Sequence, residues 1–308
     1  MTDFVNRSEE LDRLHGLFDS ENADLAVVYG RRRLGKTRLV KKALERRENA
    51  VFYQARQKTR DLQLEQFVEA AADSFPGIED IRPDWERLFR YLADQNAIVV
   101  LDEFPYLIEQ DESLPSVLQA LFDHEFDESQ TTFVLVGSSI SMMEEATLLG
   151  DSPLYGRTSL TLDIGELSFD AATEFLPDDV TADEAVRALS IFGGVPYYLE
   201  ELDADRSLAE NVQQTVLTRH GSLRNEPEFV LRMELTEPTR YFSILEAIAG
   251  GATGRNEIAG VTGIDYNQLS TYLDRLSRLR LIERHVPVTE NPERSKRSQY
   301  RLRDPLFR

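Results

Sequence analysis

The stretch VVYGRRRLGKTRLV, residues 27–40, constrains this chain more than any other. Gly30, four further residues and then Gly35-Lys36-Thr37 have the spacing of a phosphate-binding loop, and the flanking sequence is what such a loop needs. The apolar run DLAVVYG (24–30) reads as a buried strand closed by glycine, and from Thr37 to about Arg47 the pattern is helical. Glycines let the backbone curl until successive N–H groups converge on one phosphate. The helix N-terminus adds a favourable dipole. In that geometry Lys36 reaches the β- and γ-phosphates of ATP, or the β-phosphate of ADP, and the Thr37 hydroxyl is a ligand for Mg²⁺. Gly30, Arg31, Arg32, Arg33, Leu34, Gly35 and Arg38 complete the set of candidate nucleotide contacts. The three arginines keep two readings, direct contacts to phosphate or ion pairs with acids of a helical lid.

A second motif belongs with the first. AIVVLDEF (97–104) is an apolar run ending in two carboxylates. Asp102, at a buried strand's end, is placed to hold Mg²⁺ through water, and Glu103 is a candidate general base for the attacking water. A carboxylate pair after a strand is common alone; downstream of a phosphate loop, with a strand and helices between, it is specific. The next apolar run, FVLVGSS, ends in Ser138 and Ser139. Ser138 either contacts the γ-phosphate or water from the adjacent strand, or the two serines cap a helix starting near Ile140. Arg157, in SPLYGRT, is either an arginine finger, in its own subunit or a neighbour's, or one half of a salt bridge on an acidic surface.

Apolar runs at 24–30, 50–55, 97–104, 131–139 and 159–167 alternate with helical patterns at 62–75, 85–95 and 114–126. This is the signature of an α/β fold, a parallel sheet covered on both faces. Asn6 with Glu9 predicts a capping box for a first helix through about Phe18. From 168 to 235 the pattern is helical, with a capping box at Thr181 and Glu184 and a helix broken and restarted in GGVPYYLEEL (193–202). The expected domains are a core at 1–167, a helical lid at 168–235 and a winged helix-turn-helix at 236–308.

Charge separates the last part from the rest. The chain carries 35 basic and 55 acidic residues, a formal net charge of −20, and residues 254–308 hold 11 basic against 7 acidic. Its tail therefore has a different partner in prospect. PTRYFSILEAIAGG and the following residues read as helix, helix, turn, helix and a β-hairpin. Asp265 with Gln268 predicts a capping box opening the third helix, whose buried face is Leu269, Tyr272, Leu273, Leu276 and Leu279. That leaves Asn267, Gln268, Ser270, Thr271, Arg275 and Arg278 facing outward, groups suited to base edges of double-stranded DNA, with Arg294, Lys296 and Arg297 at the hairpin tip. A winged helix also serves as a protein-docking module, so a protein partner or self-association stays open.

Composition excludes other classes. With no cysteine, disulfides and thiolate metal sites are ruled out, and the four histidines form no ligand pattern. No apolar run of 18 residues predicts a membrane span, and the acidic, amphipathic N-terminus has no signal-peptide core. The expectation is a soluble cytoplasmic chain without a membrane partner. Only 5 of the basic residues are lysine, the other 30 arginine. This fits a halophilic archaeal source or an ordinary acidic protein from a GC-rich genome. In a saline cytoplasm phosphate contacts weaken, so DNA binding would rest more on base contacts.

Six motifs in order, FVNRSEEL (4–11), YGRRRLGKT (29–37), VVLDEFPYL (99–107), VGSS (136–139), PLYGR (153–157) and GGVPYYL (193–199), resemble archaeal ATPases of the STAND class, relatives of the AAA+ and origin-recognition proteins. The resemblance covers nearly the whole chain. It implies a five-stranded core with a helical lid, in which ATP binding and hydrolysis switch domain orientation. It also implies that Val5 and Arg7 lie near the adenine and that Pro196 touches the nucleotide from the lid, a place compatible with a helix N1 proline. One departure is Ser138-Ser139, where some relatives carry an arginine. In the family a motif like YRLRDPLFR leads into a further domain; this sequence stops at Arg308, as a short member or a truncated one. The expected activity is Mg²⁺-dependent ATP hydrolysis driving a conformational switch. The alternatives are a nucleotide-gated DNA-binding regulator with negligible turnover and an interaction scaffold.

Overall fold

The computed structural model describes residues 6–126, 129–291, 295 and 297–308. They form two compact units, one ending at Gly165 and the other running Glu166–Arg308.

The first unit is built on a five-stranded, fully parallel sheet. Its strands are β1 (Asp24–Tyr29), β2 (Ala50–Gln54), β3 (Ile98–Asp102), β4 (Thr132–Gly137) and β5 (Leu160–Asp163), in the spatial order β2-β3-β4-β1-β5. β3 and β4 are buried at every position. This explains their unbroken apolar runs, because helices cover both faces of a parallel sheet and neither face needs polar side chains. On one face Phe67 from helix Arg60–Ala72, Trp85 and Phe89 from helix Trp85–Asp94, and Phe133 from β4 pack edge to face, with ring centroids 5.0–5.9 Å apart. Such contacts add to the burial of large rings.

The N-terminal helix spans Ser8–Phe18, but the expected Asn6–Glu9 capping box does not form. Arg7 holds the cap position in a left-handed conformation (φ 72°) and pairs with Glu10, while the Asn6 side chain accepts from the Arg7 N–H at 2.7 Å. The left-handed turn shifts the cap one residue along, and Asn6 loses its reach to the helix.

In the second unit, helices Phe169–Thr173, Ala182–Phe192, Pro196–Glu200, Leu208–Val212 and Glu226–Glu234 come first. The Thr181–Glu184 capping box forms, and a second, unforeseen one forms at Ser207 and Glu210. Then follow helices Pro238–Ala249, Arg255–Thr262 and Tyr266–Arg278, with antiparallel strands β6 (Ile282–His285) and β7 (Gln299–Leu302). Leu269, Leu273, Leu276 and Leu279 are buried as the spacing predicts. Tyr272 is only half-buried, because its hydroxyl donates to Glu237 (3.0 Å) and accepts from Arg240 (2.6 Å) at the rim. Asp265 caps its helix through the Asn267 N–H (2.9 Å), and no box with Gln268 forms.

Candidate functional site

The loop after β1 is shaped by three left-handed residues. Gly30 has φ +144°, and a methyl group there would lie 2.3 Å from the Ile164 carbonyl oxygen, just past the end of β5. Ile164 is fixed in turn by its N–H, which donates to the Tyr29 carbonyl at 2.7 Å. Arg33 (φ 73°) and Gly35 (φ 84°) complete the curl, and Gly35 caps helix Lys36–Ala43. Arg33 takes this conformation without being glycine, the kind of backbone strain that gathers at functional sites. Lys36 is buried, and its ammonium donates to the carbonyls of Gly30 (2.7 Å) and Arg31 (3.0 Å). The lysine thus rests on the concave backbone of its own loop.

Sheet order brings the second motif to the first. β4 lies between β1 and β3, so the end of β3 faces the start of helix Lys36–Ala43 from two strands away. There the Thr37 hydroxyl donates to Asp102 Oδ2 at 2.8 Å. Gln54, the register partner of Asp102 on β2, donates to the same oxygen at 2.9 Å. The Glu103 N–H donates to Oδ1 at 3.1 Å. Asp102 is 1% exposed. Burial pushes its carboxyl above the usual range and the neighbouring Glu103 charge adds to this, while the Thr37 hydroxyl, the Glu103 N–H and Lys36 oppose it.

Glu103 also has a left-handed backbone, φ 54°. Successive strand residues point to opposite faces, and this turn ends the alternation just where the two carboxylates meet. The Glu103 carboxylate accepts from the Ser138 hydroxyl at 2.9 Å. Ser139 holds the cap position of the short helix Ile140–Met143 without a side-chain bond, so neither serine caps it.

Other predicted residues divide by position. Arg31 and Leu34 are buried, and Arg33 and Arg38 half-buried. Arg32 donates to the Tyr106 hydroxyl at 2.9 Å. Arg7 donates to the Gly165 carbonyl, joining the start and end of the first unit. Arg157 makes a bidentate pair with Asp123, both bonds 2.7 Å, and donates to the carbonyls of Pro153 and Tyr155. It holds Asp123 below the usual carboxylate range. In the second unit Pro196 is the first residue of its helix, and Asn267, Gln268, Thr271 and Arg275 are exposed on theirs, with Ser270 half-buried. Arg297 is exposed; Val5, Arg294 and Lys296 lie outside the described residues.

Thr37 and Asp102 are hard oxygen donors within hydrogen-bond distance of each other. One hydroxyl and one carboxylate fit Mg²⁺, which keeps most of its shell for water and phosphate oxygens. Among the described residues no cluster of three or more His, Cys, Asp or Glu could hold a metal. Nor is any described helix long and apolar enough to cross a membrane. Gln54 and Tyr106 were not foreseen. The signal for Gln54 was a polar residue closing the run AVFYQ, as Asp102 closes its own.

A family model described as an ATPase domain predominantly from Archaea matches residues 4–202. An uncharacterized protein of Methanocaldococcus jannaschii is 37% identical over 301 residues, 98% of this chain, and the chain spans 66% of that relative's length. The structure of the Walker-type ATPase PABY2304 of Pyrococcus abyssi superposes with TM-score 0.71 at 22% identity, covering 99% of this chain and 95% of that one. The Aeropyrum pernix ORC2 protein, in its ADPNP-ADP complexes, gives 0.59 at 16% identity, covering 99% and 93%. Both structures share this fold.

Proposed function

The chain belongs to the family of ATPase domains found predominantly in Archaea, and from that membership we propose that its ATP hydrolysis is a switch that repositions a helical lid and a DNA-contacting tail. The contact that supports this most is the 2.8 Å bond from Thr37 to Asp102, with Glu103 beside it in the grip of Ser138.

In the proposed mechanism the amides between Gly30 and Thr37 hold the β-phosphate. Lys36 leaves its carbonyl partners for the non-bridging oxygens of the β- and γ-phosphates. Mg²⁺, when bound, is held by Thr37 and Asp102 and supplies charge neutralisation on the phosphates. Glu103 orients a water and takes its proton as the oxygen bonds to the γ-phosphorus. The bond from that phosphorus to the β–γ bridging oxygen breaks, giving ADP and phosphate. Ser138 donates to the Glu103 carboxylate and keeps it in position for this step. Gln54 keeps Asp102 aimed at Thr37.

STAND-class membership, the division of the second unit into a lid (168–235) and a winged helix-turn-helix (236–308), and the nucleotide contacts of Val5, Arg7 and Pro196 are parts of the same proposal. Three helices followed by two antiparallel strands, with polar groups exposed on the third helix, support the winged-helix reading. Duplex DNA is the partner we favour for it, because its residues from 254 onward are net basic in an acidic chain.

The test is a pair of variants. Lys36→Ala should abolish nucleotide binding, measured by titration with a fluorescent ATP analogue. Glu103→Gln should bind normally and stop releasing phosphate. Wild-type turnover in Glu103→Gln would remove Glu103 as the base. Undetectable release by the wild type, with and without DNA, would point instead to a nucleotide-gated regulator.

A further inference from the structure

In the second unit, a cleft of about 580 Å³ opens between the start of helix Arg255–Thr262, Tyr266 and the two strands β6 and β7. The fold makes it firmly. Gly254 bridges to Gln299, and the Tyr300 N–H donates to the Thr253 carbonyl at 2.8 Å, so the helix entry is stitched to β7.

Three basic side chains line it, Arg255, His285 and Arg297, together with the carboxylate of Glu257. The Arg255 guanidinium lies over the Tyr266 ring, 4.6 Å from its centroid, within cation–π range. Among the described residues it pairs with no carboxylate, and its Nε is buried without a hydrogen-bond partner. Elsewhere in this acidic chain arginines do meet carboxylates. Arg60, Arg90, Arg157, Arg187 and Arg232 all find acids.

The acids near the cleft are already engaged. Glu257 accepts from the N–H groups of Thr253 (3.0 Å) and Gly254 (2.9 Å). Glu283 meets His285 at 2.6 Å, and Glu290 meets Arg297 at 3.4 Å.

We infer that this cleft seats one backbone phosphate of a DNA duplex, gripped by Arg255 with Arg297 in support, and that Tyr266 is a positioning residue holding the guanidinium. The inference rests on the DNA reading above and names the contact that would fix its register. A guanidinium presents a planar fork of donors that matches phosphate oxygens. Tyr266 is also the first residue of the helix carrying Asn267, Gln268 and Thr271. A phosphate held there would flank the groove those residues enter. Phosphate contacts set position, and base contacts set sequence.

The experiment is fluorescence anisotropy of the full chain on several short duplexes of different sequence across a KCl series. Each phosphate contact contributes about 0.9 to the slope of log affinity against log salt. Arg255→Gln, checked for folding by circular dichroism, should weaken binding by a similar factor on every duplex and flatten that slope by about one. Tyr266→Phe should keep the wild-type slope, whereas Tyr266→Leu should move towards Arg255→Gln. Thr271→Ala should change the preference among duplexes and leave the slope alone.

A folded Arg255→Gln with wild-type affinity and slope would overturn the inference while leaving DNA binding intact. Failure of the wild type to bind any duplex, even at low salt, would remove the DNA reading and the inference with it. Saturable binding of inorganic phosphate, lost in Arg255→Gln and unaccompanied by duplex binding, would assign the cleft to a free anion and overturn the inference.

Discussion

Two glycines of the phosphate loop look interchangeable in sequence, and the structure predicts that they are not. Alanine at Gly35 would carry the strain of a positive φ with no heavy atom within 4 Å of its new methyl group. That strain alone is about 1–2 kcal/mol. Alanine at Gly30 meets both a positive φ and a backbone oxygen 2.3 Å away, that of Ile164. A backbone carbonyl, in a residue whose N–H is tied to Tyr29, cannot swing aside as a side chain would. Relieving the overlap means parting β1 from the end of β5, at about 1–3 kcal/mol for overpacking on top of about 1–3 kcal/mol of backbone strain. The expected totals are therefore about 1–2 kcal/mol for Gly35→Ala and about 2–6 kcal/mol for Gly30→Ala. For a unit of this size each kcal/mol shifts the melting midpoint by about 2–4 °C. Thermal unfolding followed by circular dichroism, with no nucleotide added, should place Gly30→Ala clearly below Gly35→Ala. If Gly30→Ala melts at or above Gly35→Ala, the contact between the loop and Ile164 is not what holds the loop.

Two further variants probe charges of the first unit. The raised carboxyl of Asp102 means that the folded chain keeps a proton the unfolded chain has lost, so stability falls as pH rises from the ordinary carboxylate value near 3.8 through the raised folded one. Asp102→Asn should lack that fall, and denaturant midpoints measured without nucleotide at several pH values should show the two proteins diverging as pH rises; parallel profiles would refute the burial argument. Arg157→Ala should leave stability and the turnover of dilute protein near wild type, since an exposed pair with Asp123 contributes little. A loss of roughly a thousandfold, the scale of an arginine finger, seen only where wild-type copies associate, would show the guanidinium acting across subunits.

Much of the first unit could be read from residues whose meaning is local. Each parallel strand announced itself as an apolar run closed by glycine or a polar group, and Gly30 to Thr37 carried its own spacing. What escaped the reading depends on register between strands distant in sequence. Gln54 reaches Asp102 only because β2 pairs with β3 at that step, and Ser138 reaches Glu103 only because β4 adjoins β3. Local rules also failed where one backbone angle intervened. The Asn6–Glu9 pattern was present, but a left-handed Arg7 moved the cap. Two helices widen by a turn at Glu144–Leu148 and Gln213–Leu217, for which we find no signal in side-chain pattern.

The position of β1 has a consequence for how this protein is made. Its partners arrive late: Asp24 pairs with Thr132 and Ala26 with Leu160, each roughly a hundred residues or more further along. Until β4 and β5 have been made, the nascent chain has no neighbouring strand to lay β1 and its loop against. Contacts so distant are slow to close. Any chain halted before β5 leaves one side of β1 as a row of unpaired amides and carbonyls, open to whatever strand comes first.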